Sequence, residues 1–178
     1  MTGRSGYQLA ELNVGRLVAS TDDPRVADFM AALDRVNGLG KRMSGFVWMM
    51  EESSVPSTGK TEAKTGGDPC HVANLTVWES VETLEASVFN TVHKQFFARR
   101  AKWFEVLEQM YFVMWWVPKG HCPGLDEVLA RLSLLREHGP SVMAFGWVWL
   151  KEARSGQSRS AWTSAKLSGG GQHHPRLA

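Results

Sequence analysis

The order of strand-like and helix-like segments is the feature that most constrains the fold of this chain. Amphipathic helical stretches alternate with apolar strand-like stretches in the order β-α-β-β-α-β. The four strand-like stretches are Tyr7–Leu17, Gly45–Met50, His71–Trp78 and Tyr111–Pro118. This order is typical of the ferredoxin-like arrangement, in which two helices back an antiparallel four-stranded sheet. The sequence therefore predicts an α+β fold.

Three amphipathic stretches are predicted to be helices. The first follows an acidic N-cap and a proline, Asp23-Pro24, and its apolar residues recur at three- and four-residue spacing. The second begins at Ser80, with an imperfect capping box and acidic residues in its first turns, and is predicted to run to about Leu107. An extra C-terminal helix is predicted over 125–137, followed by a short fifth strand over 144–150.

One domain is predicted over residues 1–150. Within it, residues 53–69 belong to a stretch rich in Ser, Thr, Gly, Lys and Pro, which predicts a mobile hairpin loop. From about Glu152 the composition turns to Ser, Gly, Arg, Gln and His without periodicity. Residues 151–178 are therefore predicted to form a disordered tail.

Charge and cysteine content narrow the class of protein. The formal net charge of +2 argues against a dedicated nucleic-acid binder, which needs clustered Lys and Arg. No apolar run reaches the roughly 18 residues that a membrane span needs. Two cysteines and the lack of an apolar secretory segment predict a cytoplasmic protein.

Aromatic residues are unusually frequent, with eight Trp and eight Phe. They indicate either a thick aromatic core or an aromatic-lined pocket. One face of the predicted sheet is covered by its own helices, and the other face is also apolar. A second subunit would cover that second face, so a homodimer is predicted.

Three motif-like segments do not predict a site. Ser57–Thr61 suggests a phosphate loop, but Ser54 stands where the pattern needs Gly. The glycosylation sequon at Asn74 lies in a strand predicted to be buried. Cys70-His71 and His121-Cys122 have the residue types of a zinc site. Because the third and fourth strands run parallel in this topology, the two pairs fall at opposite ends of the sheet, and no metal site is predicted.

The second predicted helix combines titratable and aromatic residues. At 100° per residue, His93 and Arg100 fall at the edge of its buried face. The aromatic residues on and beside that face are Phe89, Phe97, Trp103 and Phe104. An imidazole beside a guanidinium, lined by aromatic side chains, can bind a ligand or transfer a proton. The alternative is a boundary histidine bonded to a backbone carbonyl, with Arg100 in a salt bridge.

Asn13 and His121 are further candidates for the site. Asn13 is an amide on a strand face of the predicted pocket, where a buried amide must be satisfied. Its alternative role is to form a turn before Gly15. His121 is either a substrate-binding residue or a loop residue between strand and helix. Trp78 and Trp116 are also assigned to the predicted pocket. The sequence leaves open which of Trp115 and Trp116 faces this pocket.

Five segments resemble the bacterial family labelled domain of unknown function 3291, over roughly residues 7–148. They are Tyr7–Leu17, Asp23–Phe29, Val77–Val81, His93 with Arg99–Phe104, and Trp115–Pro123. That family resembles the antibiotic-biosynthesis-monooxygenase superfamily, which includes cofactor-independent quinone-forming oxygenases and haem-degrading oxygenases. The resemblance implies a dimeric α+β barrel.

The residues that haem-degrading relatives use can be compared with this sequence one by one. These relatives use an Asn on the first strand, a His on the second helix as iron ligand, and a Trp about ten residues before that His. Asn13 and His93 match by element, whereas Thr83 stands where the Trp is expected. The resemblance therefore leaves two options for the cofactor, either none or haem bound through His93.

The predicted function is a monooxygenase-like oxidoreductase that acts on a flat aromatic or polyketide-type small molecule, in bacterial secondary metabolism. His93 would be general base or ligand, Asn13 would hydrogen-bond a substrate oxygen, and Arg100 would stabilise negative charge. Aromatic side chains would hold the substrate. The alternative is a non-catalytic protein that binds haem or another small molecule in the same pocket.

Overall fold

The computed structural model describes residues 5–50, 70–89, 100–105 and 111–156. Four strands form one sheet in the order β2-β3-β1-β4, and all three pairings are antiparallel. The strands are β1 Tyr7–Arg16, β2 Phe46–Met49, β3 His71–Trp78 and β4 Phe112–Pro118. This topology confirms the predicted α+β, ferredoxin-like sheet.

Three helices accompany the sheet, namely α1 Ala27–Gly40, α2 Val81–Val88 and α3 Leu125–His138. A 3₁₀ turn leads into α1 and is capped by Asp23, whose carboxylate accepts a hydrogen bond of 2.8 Å from the Arg25 amide. At α2, Ser80 and Thr83 form a reciprocal capping box. Thr83 therefore completes the box that looked imperfect in the sequence. Within the described ranges, no helix is both long enough and apolar enough to span a membrane.

One face of the sheet, here called the α3 face, packs against α3. Successive side chains of a strand point to opposite faces, and the side chains in the middle of this face are apolar and mostly buried. They form one cluster of β-strand and helix residues: Ala10, Leu12, Leu75, Val77, Val113, Trp115, Val117, Val128, Leu132 and Leu135. This cluster is the main core of the fold.

The position of α3 changes the argument for a homodimer. The sequence predicts a second subunit because one sheet face is covered by its own helices and the other face, assigned Trp48, Trp78 and Trp115 or Trp116, is also apolar. In the structure, Trp48 and Trp115 lie on the α3 face, where the helix of the same chain contributes Val128 and Leu132 to the cover. That face therefore does not by itself require a partner, and the homodimer stays a prediction.

The predicted helix from Ser80 to Leu107 is not continuous, and it is wrong over the described residues 100–105. α2 ends at Val88, and the chain next described forms a 3₁₀ turn at Arg100–Lys102. The residues after that turn pair with the end of β1, because the Glu105 amide donates to the Arg16 carbonyl at 2.9 Å. This long-range pairing replaces the helix that the apolar spacing favoured.

The predicted fifth strand over 144–150 is wrong beyond Phe145. Phe145 extends the edge of β4 through two backbone hydrogen bonds to Met114, of 2.7 and 2.9 Å, and a helix occupies 147–156. Short apolar runs do not distinguish a strand from a buried helix. Residues 1–145 form one compact unit, and the helix belongs to a second. The predicted loop at 53–69 lies outside the described residues, as does the predicted tail from residue 157 onward.

Candidate functional site

The second face of the sheet, here called the Glu11 face, carries polar side chains in its middle. Alternation along β1 places Leu9, Glu11, Asn13 and Gly15 on this face. Antiparallel register then sets the neighbours on either side. The rows are Trp78–Leu9–Trp116, Thr76–Glu11–Met114 and Asn74–Asn13–Phe112. The face therefore has a carboxyl, a hydroxyl and two amides beside an aromatic row.

Glu11 is the chemically unusual residue of this face. Only 7% of it is exposed, and its Oε2 accepts a hydrogen bond of 2.8 Å from the Thr76 hydroxyl. Thr76 Oγ1 in turn accepts a hydrogen bond of 2.9 Å from Trp78 Nε1. Thr76 and Trp78 are both buried. The three side chains thus form a continuous hydrogen-bond chain inside the protein.

Burial raises the pKa of Glu11 from 4.5 to about 7, although the Thr76 hydrogen bond lowers it in part. Desolvation has this effect because it disfavours the charged form of a carboxyl group. A carboxyl group with a pKa near neutrality can take up and release a proton at physiological pH. Such groups are suited to general acid–base catalysis.

The sequence analysis did not select Glu11. A single carboxylate in an alternating strand is usually read as solvent-facing, and the residues on either side of Glu11 gave no other signal. The available signal was the pairing of β1 with β3, which sets Glu11 opposite Thr76. That pairing requires the register, which local sequence does not supply.

Asn13 lies two residues from Glu11 on the same face, at a spacing of about 7 Å along the strand. It is exposed, and its partner across β3 is Asn74. An exposed amide need not be satisfied internally, so Asn13 is available to a ligand. Asn74 is the residue whose sequon was set aside in the sequence.

The structure separates the two adjacent tryptophans of β4. Trp115 is completely buried on the α3 face, whereas Trp116 is half-buried on the Glu11 face. The Trp116 ring centroid lies 6.3 Å from that of Phe145. Trp78 lies in the same row on the other side of Leu9. Of the two residues that the sequence left open, Trp116 is therefore the one beside Glu11.

A second aromatic group lies at the opposite end of β1. The ring of Phe104 packs on Gly15 so closely that a Cβ atom there would collide with it. Phe104 contacts Phe29 edge-to-face, with centroids 4.9 Å apart, and Phe29 lies 5.9 Å from Trp103. Along β1 the polar pair Glu11 and Asn13 is thus flanked by aromatic residues on both sides.

Phe89 and Arg100 do not belong to the strands that form the Glu11 face. Phe89 follows α2 as its C-cap and is 64% exposed. Arg100 lies in the 3₁₀ turn. His93 and Phe97 lie outside the described residues. The helical geometry that placed these residues together does not apply to Arg100, which lies outside α2.

His121 lies in a separate arrangement after β4. Its Nε2 atom is 2.7 Å from Oε2 of Glu127, and the indole N–H of Trp115 donates to Oε1 of the same carboxylate at 2.9 Å. Burial opposes ionisation of Glu127, but the hydrogen bonds from His121 and Trp115 outweigh it and lower the pKa of Glu127. His121 therefore joins the loop to α3, in keeping with the loop role considered for it.

The strand directions set the positions of the two cysteines. β3 and β4 are both antiparallel to β1 and hence parallel to each other. Cys70 precedes β3 and Cys122 follows β4, so the two thiols belong to opposite ends of the sheet. Among the described residues, no group of three or more potential metal ligands occurs.

Comparison with known proteins identifies the family. The family model described as a domain of unknown function, DUF3291, matches residues 8–161. The chain therefore belongs to this family. No curated protein matches the chain.

The solved structures that match this chain have low sequence identity to it. A conserved protein from Methanosarcina mazei Go1 is 12% identical, with a TM-score of 0.43, and covers 65% of this chain and 95% of its own. A protein from Shewanella oneidensis is 9% identical, with a TM-score of 0.42, and covers 66% and 93%. SnoaB, a cofactor-independent oxygenase from Streptomyces nogalater, is 11% identical, with a TM-score of 0.39, and covers 66% and 96%.

The described part of the Glu11 face does not fit haem ligation. His71 lies on the opposite face of the sheet, and His121 is held by Glu127. Thr83, which occupies the position expected for the Trp of haem-degrading relatives, is engaged in the cap of α2. Haem binding through His93 therefore stays a prediction.

Proposed function

We propose that the protein is a monooxygenase-like oxidoreductase that binds a flat aromatic or polyketide-type molecule on the Glu11 face. The observation that carries this proposal is the buried Glu11 carboxyl, with a pKa of about 7, between aromatic groups at both ends of β1. Pockets that bind flat apolar ligands are lined mainly by aromatic side chains, with a few polar groups that fix the ligand's orientation. The family resemblance supports the same reaction class, and the secondary-metabolism role is part of the proposal.

In this proposal Glu11 starts the reaction as a general base. The substrate is a carbon acid in which a CH₂ group is activated by a neighbouring aromatic ketone. The carboxylate removes one proton, and the resulting carbanion gives its electrons to O₂ to form a peroxide. The Glu11 carboxyl returns this proton to the peroxide, and the regenerated carboxylate removes the second proton from the carbon, which breaks the O–O bond and leaves a carbonyl and a hydroxide. The departing hydroxide takes the proton from Glu11, so CH₂ and O₂ become C=O and H₂O.

Asn13 is the candidate for substrate orientation. Its amide is exposed on the same face as Glu11 and about 7 Å away along the strand. An N–H group at that distance can bind a ketone oxygen and stabilise the negative charge that develops there. Arg100 and His93 keep the roles that the sequence predicts for them, namely charge stabilisation for Arg100 and general base or ligand for His93, as predictions.

The experiment is oxygen uptake with anthrone, a flat ketone with an acidic CH₂ group, by the purified chain. Glu11→Gln keeps the shape of the side chain and removes the base, so the rate should fall by about 100-fold or more. Glu79→Gln, at an exposed position next to Trp78, is the matched control and should keep the wild-type rate.

His93→Ala separates the two candidate bases. Loss of turnover in His93→Ala with full activity in Glu11→Gln would assign the base to His93 and contradict the proposal for Glu11. Saturable binding of anthrone without oxygen uptake in the wild-type protein would favour the alternative, a non-catalytic small-molecule binder. An absorption spectrum recorded after adding hemin tests the haem form of that alternative.

A further inference from the structure

The hydrogen-bond chain on the Glu11 face has a fixed direction. An indole N–H can donate but cannot accept, so Trp78 Nε1 is the donor to Thr76 Oγ1, at 2.9 Å. Thr76 is buried, and its single hydroxyl proton has Glu11 Oε2 as acceptor, at 2.8 Å. The direction therefore runs from Trp78 through Thr76 to one oxygen of the carboxyl group.

We propose that Trp78 and Thr76 are positioning residues that reserve Oε1 of Glu11 for proton exchange with a ligand. A protonated carboxyl oxygen is a poorer hydrogen-bond acceptor than a carbonyl oxygen, so a proton on Oε2 would weaken the hydrogen bond from the buried Thr76 hydroxyl. An unsatisfied buried donor is costly. Oε2 therefore accepts from Thr76 in both protonation states of Glu11, and Oε1 carries the proton in the acid form.

This arrangement restricts the class of ligand, an inference that rests on the proposed function. A ligand that engages Oε1 alone needs a single acidic group, such as a phenol hydroxyl or an activated C–H. Two-pronged cations such as amidines bind a carboxylate through both oxygens and would have to compete with the Thr76 hydroxyl for Oε2. The Glu11 face is thus suited to neutral phenols and carbon acids and unsuited to amidines.

The hydrogen-bond chain from Trp78 through Thr76 to Glu11, here called the relay, is the main polar influence on the Glu11 carboxyl. The neighbours of Glu11 on this face are Thr76 from β3, Met114 from β4, and Leu9 and Asn13 from β1. Within the described residues, burial and the Thr76 hydrogen bond are the causes that act on the pKa of Glu11, and no charged side chain contributes. Changes in the relay should therefore be visible in the titration of Glu11.

The register supplies a matched control for Trp78. Leu9 has Trp78 on one side and Trp116 on the other, so the two indoles occupy equivalent places in one row. Of these two residues, Trp78 donates to Thr76. Trp78→Phe and Trp116→Phe thus make the same change on the same face, but only the first removes a link of the relay.

The test is a pH titration of the ¹³C-labelled Glu11 carboxyl by NMR, which needs no substrate. Thr76→Val should move the midpoint upward by about 1 pH unit, because a hydrogen bond to the charged form is lost. Thr76→Ser should restore the wild-type midpoint, and Trp78→Phe should give a smaller upward shift. Trp116→Phe should leave the midpoint unchanged. Wild-type midpoints in both Thr76→Val and Trp78→Phe would overturn the relay.

Two probes added to the same labelled protein test the ligand class. 2-Naphthol should change the Glu11 signal, whereas benzamidine should not. A benzamidine-dependent change would overturn the reservation of Oε1. If the midpoints shift as predicted but 2-naphthol has no effect at Glu11, the relay stands and the proposed function is contradicted.

Discussion

Trp115 and Glu127 are joined by a hydrogen bond of 2.9 Å, which ties a fully buried indole of β4 to the first turn of α3. The same carboxylate lies 2.7 Å from Nε2 of His121, in the loop that connects the two elements. Gly120 in this loop donates its amide to Gln8 on β1 at 3.0 Å. The helix that covers the α3 face is therefore fixed by polar contacts as well as by its apolar side chains.

Glu127→Ala should destabilise the protein by about 1–3 kcal/mol, because it leaves the buried N–H of Trp115 without its acceptor. Unfolding in urea measures this change. Glu137→Ala, at an exposed position in the last turn of the same helix, is the control and should be nearly neutral. Equal stability of the two variants would contradict the role given to Glu127.

The Glu127 contacts should also weaken in acid. The pKa of Glu127 lies below its ordinary value of 4.5 in the folded protein. Its contribution to stability is thus fully present above the unfolded value and is lost as pH falls through the folded value. His121→Ala should reduce this acid sensitivity, measured as the difference in unfolding free energy between pH 6 and lower pH. Unchanged acid sensitivity in His121→Ala would contradict the contribution of His121 to the lowered pKa of Glu127.

Glu11 should give the opposite pH dependence. Its folded pKa of about 7 lies above the ordinary value of 4.5, so the folded state holds the proton more tightly than the unfolded chain. Stability should therefore be highest below about pH 4.5 and should fall by about 3 kcal/mol as pH rises to 7 and above. In Glu11→Gln this loss should be absent, so urea unfolding of the two proteins should diverge between pH 5 and pH 8. If the unfolding free energies of the two proteins changed in parallel with pH, the burial of the Glu11 carboxyl would be contradicted.

Gly15→Ala should destabilise the protein by about 1–3 kcal/mol, because the added Cβ atom meets the ring of Phe104. The smaller side chain in Phe104→Leu should relieve the clash. A double-mutant cycle measured by thermal unfolding should therefore show a favourable interaction between the two substitutions. Additive effects would mean that Phe104 does not pack on Gly15.

The sheet could be predicted from the sequence because β2, β3 and β4 are largely apolar runs, as in His71–Trp78, and β1 alternates between its two faces. α3 was similarly clear from the spacing of Val128, Leu132 and Leu135. The second helix was overextended because apolar residues recur at helical spacing past Val88, whereas the pairing of Phe104 with Leu17 joins distant parts of the chain. Local patterns contain no information about such contacts.

The candidate site was predicted only in part. Trp78 and Asn13 were selected and lie on the same face as Glu11, but Glu11 itself was not selected. Its neighbours in sequence do not reveal its burial, which arises from the strands on either side of β1. Desolvation by tertiary packing creates the chemistry of this residue, and a sequence pattern does not report it.

The most direct test of the central claim is the titration of Glu11 in the wild-type protein. The ¹³C signal of its carboxyl can be assigned by its absence in Glu11→Gln. The account predicts a midpoint of about 7. A midpoint near the ordinary value of 4.5 would show a solvated carboxylate and would contradict both the buried relay and the assignment of Glu11 as the base.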